Sequence, residues 1–247
     1  MNIPTGESTR HVVERRLVKA LAVYSAVIVG LLAVLNLLGS ADPVHRAIIT
    51  MALGLIILWV VVWGLANARF GEALQRSVRR IPIGWQLRFV LLATGLAMAE
   101  EAITTTMTNL APAFGLSAES AHITASDNYL IVITFSSVVL FVPEFVGWML
   151  ILRKWAFSPI EVFLLYGLLG SLMEGSLSPS SLMAGFWFFV YGLMIYLPAR
   201  SVPEDRRAVP PRWYHYPTAV VFPLVCAIPV VLVDSLAARA LGVVLWH

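Results

Sequence analysis

Charge is what this sequence has least of. Asp, Glu, Lys and Arg together make 13% of its 247 residues, while 59% are hydrophobic and the mean hydropathy is +0.83. Soluble domains carry roughly 25% charge, so this composition excludes a soluble globule and equally a disordered chain. A lone Cys226 inside an apolar run cannot build a disulfide framework and reads as a packing thiol. The apolar stretches are continuous rather than alternating, which excludes a porin-like barrel. No Walker loop, dinucleotide fingerprint, zinc spacing or nucleophile elbow is present.

What is present is a series of seven apolar runs at residues 17–38, 47–68, 87–108, 129–152, 160–178, 182–197 and 218–238. Each approaches the ~20 residues needed to cross hydrocarbon, where a single chain of such runs satisfies its backbone only as helices. The expected fold is therefore all-α: a polytopic membrane protein of seven transmembrane helices. The first run is longer than a signal-peptide core and lacks a small-residue cleavage pattern after it, so it is expected to stay as a helix.

Orientation follows from the basic residues. Arg10, Arg15, Arg16 and Lys19 precede the first run, and Arg69, Arg76, Arg79, Arg80 and Arg88 surround the second connection. Arg153 and Lys154 follow the fourth run, and Arg200, Arg206, Arg207 and Arg212 the sixth. The opposite side holds only Arg46 and Arg239. The positive-inside rule then places the N-terminus in the cytoplasm and predicts a multi-pass protein of the inner (plasma) membrane. The spread of these charges over connections, rather than over one face, argues against a nucleic-acid partner. Residues 1–16 read as a cytoplasmic tail, 17–238 as the bundle and 239–247 as an extracytoplasmic tail.

Two connections are long. The outer one, residues 109–128, has the length to cover the outer mouth as a lid or short interfacial helix. The inner one, 198–217, holds Pro203, Pro210 and Pro211 among charges and reads as an extended cytoplasmic linker. An internal echo also exists. Leu37-Leu38-Gly39-Ser40 recurs as Leu168-Leu169-Gly170-Ser171, and Trp59 with Trp63-Gly64-Leu65 recurs as Trp187 with Tyr191-Gly192-Leu193. This predicts a parallel 3+1+3 helix repeat with the fourth helix as connector.

Chemistry is expected from five acids inside the apolar runs: Glu100, Glu101, Glu144, Glu174 and Asp234. Each costs roughly 2.5–3.5 kcal/mol near the bilayer centre, and together of order 10 kcal/mol, as much as a domain's net stability. No run interior supplies a Lys, Arg or His to offset them, so protons or a shared cation must neutralise them, or they bridge helices as neutral acids. Ala97, Glu100, Glu101 and Thr104 share one helical face, and Gly167, Gly170, Ser171 and Glu174 repeat those offsets as a small-residue groove ending in a carboxyl. Pro223 and Pro229 precede Asp234 and break backbone hydrogen bonding there. The candidate site is Glu100, Glu101, Thr104, Glu174 and Asp234 in the outer half, with Glu144 on an inner step. Hard oxygen ligands of this kind suit Na⁺, Mg²⁺ or Ca²⁺, but the sequence specifies neither a metal nor a cofactor.

The Glu100-Glu101 pair resembles the opening motif of CAAX-type intramembrane proteases. Thr105 stands where that motif has Arg, and His11, His45, His122, His215 and His247 all lie outside the runs or at their ends. Pro159-Ile160-Glu161-Val162-Phe163 is similar to the Pro-x-Glu-Glu element of membrane lycopene cyclases, with Val162 replacing the second acid. Neither resemblance carries a catalytic assignment. The expected function is proton- or cation-coupled transport of a small solute. The alternatives are an intramembrane acid/base enzyme acting on a lipid or isoprenoid, with Glu100 and Glu101 as the couple, and a structural subunit of a membrane complex. The expected partners are the bilayer and a small solute, cation or lipid-like ligand, with an oligomer left open.

Overall fold

A computed structural model describes residues 6–39, 42–175, 184–243 and 245. The described chain is helical, with a single isolated bridge between Trp155 and Val209 as its only β pairing. In order, the helices are α1 (Gly6–Leu37), α2 (Pro43–Leu55), a π-helical stretch (Ile56–Trp63), α3 (Gly64–Arg79), α4 (Trp85–Thr108), α5 (Tyr129–Phe135), α6 (Ser137–Lys154), α7 (Pro159–Met173), α8 (Ala184–Arg200) and α9 (His215–Leu241). Among the described residues four segments are long and apolar enough to cross a membrane: Val12–Leu37, Pro43–Arg79, Tyr129–Lys154 and His215–Leu241. The chain thus has the elements of a helical membrane protein.

Several boundaries differ from those expected. The first helix begins at Gly6, so most of the segment read as a tail is helical. The second runs to Arg79, eleven residues past the apolar run, because the amphipathic α3 lays Asn67 and Gly71 inward and continues the helical hydrogen bonding. The fourth run, read as continuous, is broken at Ser136, whose φ of −136° and ψ of −117° separate α5 from α6. The expected end of the fifth run at residue 178 and the start of the sixth at 182 lie outside the described residues, as do Ser40, residues 1–5 and His247.

Local sequence explains the ends that are seen. Asp42 caps α2 by accepting from the Val44 amide, with Pro43 in the first turn. Ser158 and Glu161 close a reciprocal capping box over α7, with Pro159 between them. The Pro159–Phe163 element is therefore the start of a helix, and Tyr216 holds the same Glu161 carboxyl with a 2.5 Å hydrogen bond.

Polarity is inverted relative to a soluble protein. Glu100, Glu101, Thr104, Thr105, Glu144 and Ser171 are buried, whereas Val23, Val27, Leu31 and Val34 of α1 and Val221, Val225, Ile228 and Leu232 of α9 are exposed. Apolar surface on that scale needs an apolar solvent. The core is aromatic and small-residue at once. Gly167 lies so close to Phe188 that an added Cβ would fall 2.6 Å from its carbonyl oxygen, and the Tyr191 ring occupies the space beside Gly170. This seam makes α7–α8 the most extensive helix pair, and α6 packs against α9 through Gly147 and Pro223. The linker after α8 folds back over the C-terminal end of α6: Val209 pairs with Lys154 and Ala156, and Arg206 Nε donates to the Leu152 carbonyl. Burial there lowers the pKa of the Arg206 guanidinium, and the Glu204 charge partly opposes that shift.

Candidate functional site

The C-terminal half of α4, the start of α6, the end of α7 and the first turns of α8 enclose a cavity of about 370 Å³. Glu100, Glu101 and Thr104 enter it from α4, Ser136 and Ser137 from the α5–α6 break, Glu174 from the end of α7, and Trp187 and Tyr191 from α8. Thr124 and its neighbours in the 109–128 connection form the remaining wall, held there by Ile123 N–H donating to Thr108 Oγ1 and Asn109 Nδ2 donating to the Asp127 carbonyl.

Helical periodicity places the α4 groups. Glu100, Glu101 and Thr104 lie three and four residues apart, on one side of the helix, while Ala93 and Ala97 below them are fully buried and leave room for the neighbouring helices. The α7 groove likewise places Glu174: Gly170 admits the Tyr191 ring, and the Tyr191 hydroxyl donates to Glu174 Oε1 at 2.5 Å.

The carboxyls have unequal surroundings. Glu101 Oε2 is within hydrogen-bond distance of Thr124 Oγ1 at 3.3 Å and of Thr104 Oγ1 at 3.1 Å, the latter hydroxyl also reaching the Glu100 and Glu101 carbonyls; Ser137 lines the cavity with them. Glu100 is only 4% exposed and has no side-chain hydrogen bond among the described residues, yet it faces the cavity. Glu100 is near enough to Glu101 and Glu174 for their charges to interact. Among the described residues no Lys, Arg or His lines the cavity, and the sequence from 176 to 183 contains none.

Glu144 lies beneath this chamber on α6, fully buried, and accepts from the Tyr166 hydroxyl at 3.0 Å. Its other oxygen, Oε1, has no partner. The Tyr166 and Tyr191 rings meet edge-on with centroids 6.1 Å apart. Glu174 is thus hydrogen-bonded to Tyr191 and Glu144 to Tyr166, and the two acid–phenol pairs touch through their rings. Of the candidate site residues, Glu144 forms a separate pair with Tyr166, whose ring meets that of Tyr191, and Glu100, Glu101, Thr104 and Glu174 come together. Asp234 does not: it lies on α9 among the exposed Val231, Leu232, Val233 and Leu236, away from the cavity. Its spacing from Ala227 and Ala238 keeps Asp234 on the bundle side of α9, but α9 packs chiefly on α6 and contributes no residue to the cavity.

Among the described residues no three His, Cys, Asp or Glu side chains stand close enough to hold a metal ion, so a bound cation would draw on hydroxyls and carboxyls together. Tyr191, Tyr166, Ser137 and Thr124 are site residues that the sequence alone leaves unmarked. The one available signal is Tyr191 itself, which replaces Trp63 in the echoed Trp-x-x-x-aromatic-Gly-Leu pattern. Comparisons with family models, with curated proteins and with solved structures find no match.

Proposed function

We propose that this chain is a multi-pass carrier of the inner membrane that couples protons or a small cation to passage of a small solute. Seven membrane spans, with the N-terminus in the cytoplasm, put the acid cavity near the outer face and the Arg-rich connections inside. The observation that carries the reading is Glu100: a carboxyl 4% exposed, facing a cavity with two more acids and no lining cation. Three such groups sharing low-dielectric space balance their charge by taking up protons or a cationic guest. The helix break at Ser136, with Ser136 and Ser137 at the cavity, is the kind of discontinuity at which carriers bind their cargo. Glu144, paired with Tyr166, is the next acid on the inward side of the cavity and takes the proton onward. The outer connection, through Thr124, closes the mouth.

The parallel repeat of the first and last three helices is part of this proposal. Its support is that the two echoed stretches pack on each other: Trp59 Nε1 donates to the Val190 carbonyl at 3.0 Å, and Gly64 lies beside Leu193. The test is proton and cation flux in proteoliposomes across a panel of small solutes, and flux no greater than in protein-free vesicles counts against the carrier.

A second reading rests on the inequality of Glu100 and Glu101. One carboxyl within hydrogen-bond reach of two threonine hydroxyls beside one with none is an arrangement that separates an acid from a base, as an enzyme acting on a lipid or isoprenoid requires. Lipid analysis of a deletion strain decides it: an accumulated precursor supports the enzyme, and an unchanged lipid profile with measurable flux removes it.

A further inference from the structure

At the opposite end of the bundle a second, larger space of about 950 Å³ opens between α1, the π-helical stretch, α7 and α8. Its long walls are apolar, built from Val18, Val60, Leu65, Ile160, Phe163 and Leu193. Its end is cationic: Arg15 and Lys19 of α1 and Arg200 of α8 all line it. Among the described residues none of the three makes an ion pair, and Arg200 is held over the Tyr196 ring with its guanidinium carbon 5.7 Å from the centroid. The single acid in the lining, Glu14, accepts from Ser158 Oγ at 3.1 Å at the start of α7, which leaves an excess of positive charge.

A second observation points into the same space. Asn67 is 4% exposed and lines the groove. Its Nδ2 donates to the Trp63 carbonyl at 3.0 Å, while its Oδ1 has no partner. A buried acceptor without a donor loses free energy, and because Asn67 lines the groove, a turn of its amide toward that space lets a ligand hydroxyl supply the missing donor. Apolar walls, clustered cations at one end and a waiting hydroxyl acceptor match one kind of molecule.

We propose that this groove is a binding site for an anionic phospholipid with a hydroxyl-bearing headgroup, drawn from the inner leaflet. Arg15, Lys19 and Arg200 take the phosphate, Asn67 Oδ1 accepts from a headgroup hydroxyl, and the acyl chains lie along the valine and leucine walls. On the proposed orientation these cations are on the cytoplasmic side, where anionic headgroups and basic residues meet. The volume is within the range of built ligand sites, about 300–1,000 Å³. The site does not depend on what the acid cavity carries.

The experiment uses the full chain in neutral detergent, stripped of lipid, and titrated with tail-labelled phosphatidylglycerol, phosphatidic acid, phosphatidylcholine and inorganic phosphate. Phosphatidylglycerol is expected to bind tightest. Each of Arg15→Gln, Lys19→Gln and Arg200→Gln is expected to weaken it by roughly fivefold, and the triple variant by ~100-fold. Asn67→Leu is expected to erase the preference for phosphatidylglycerol over phosphatidic acid, which lacks the headgroup hydroxyl, while phosphatidic acid still binds. Lys19 is exposed, so Lys19→Gln keeps the test decisive if the triple variant fails to fold. Equal affinity for phosphatidylcholine, affinity unmoved by Lys19→Gln, or saturation by inorganic phosphate alone at the same strength would each overturn the proposal.

Discussion

Tyr191 and Glu174 are joined across the α7–α8 seam by a 2.5 Å hydrogen bond, and the seam is open enough for it because Gly170 has no side chain under the Tyr191 ring. One contact therefore combines packing with chemistry: the ring fixes two helices, and the hydroxyl fixes a carboxyl at the cavity wall. Tyr191→Phe separates the two roles. It keeps the ring, so unfolding in detergent is expected to shift by about 1–2 kcal/mol, the range for one lost hydrogen bond. Flux is expected to fall at least tenfold. A variant that unfolds normally and transports normally would show that the phenol is only packing.

Gly170→Ala attacks the ring instead. The new Cβ would occupy the volume of the Tyr191 ring, so a loss of about 1–3 kcal/mol is expected from overpacking. Gly30→Ala is the control, because nothing lies within 4 Å of the Cβ that would be added. It is expected to be neutral or slightly stabilising, since alanine is the better helix former. Thermal unfolding of the two variants side by side reads the difference.

Glu144 is fully buried, with one oxygen bonded to Tyr166 and the other without a partner. Glu144→Gln keeps an acceptor for Tyr166 and cannot release a proton, so coupled flux is expected to disappear while stability changes by about 1 kcal/mol or less. Glu144→Leu leaves the Tyr166 hydroxyl buried without an acceptor and is expected to cost about 1–3 kcal/mol. Flux and chemical unfolding, measured on both variants, separate the relay from the glue.

The proposed orientation is open to labelling. In a Cys226→Ser background, Ser117→Cys in the outer connection is expected to react with an impermeant maleimide in intact cells. Asp205→Cys in the inner linker is expected to react only after permeabilisation. The reverse pattern would invert the bundle, and equal reaction of both would remove the seven-span reading.

The helices were legible in the sequence because continuous apolar runs have one solution in oil, and the Gly167–Gly170–Ser171 groove was legible because only small residues admit a neighbour that closely. The break at Ser136 was not, since two serines inside an apolar run interrupt hydropathy too little to mark a change of backbone direction. Helical spacing marked Glu100 and Glu101 as one face, while the meeting of Glu174 with them in one cavity depends on how α7 packs, which spacing within a helix does not specify. Asp234, of the same chemistry, turned out elsewhere: it is on the bundle side of α9 by its spacing from Ala227 and Ala238, but α9 packs chiefly on α6 and gives the cavity no residue, and a helix apolar all round does not say which neighbour it will choose. Tyr166 and Tyr191 escaped for a related reason. A tyrosine in a membrane helix reads as packing until a carboxyl is found at its hydroxyl.

The central claim is that the cavity carboxyls take up and pass on positive charge. Its most direct measurement is fluorescence of a trapped pH dye in proteoliposomes under an imposed membrane potential, with the wild-type chain and with Glu100→Gln, across a panel of small cations and solutes. The account predicts protein-dependent proton movement that at least one solute accelerates and that Glu100→Gln abolishes in a folded protein. Equal dye responses from wild type, Glu100→Gln and empty vesicles with every solute would contradict it.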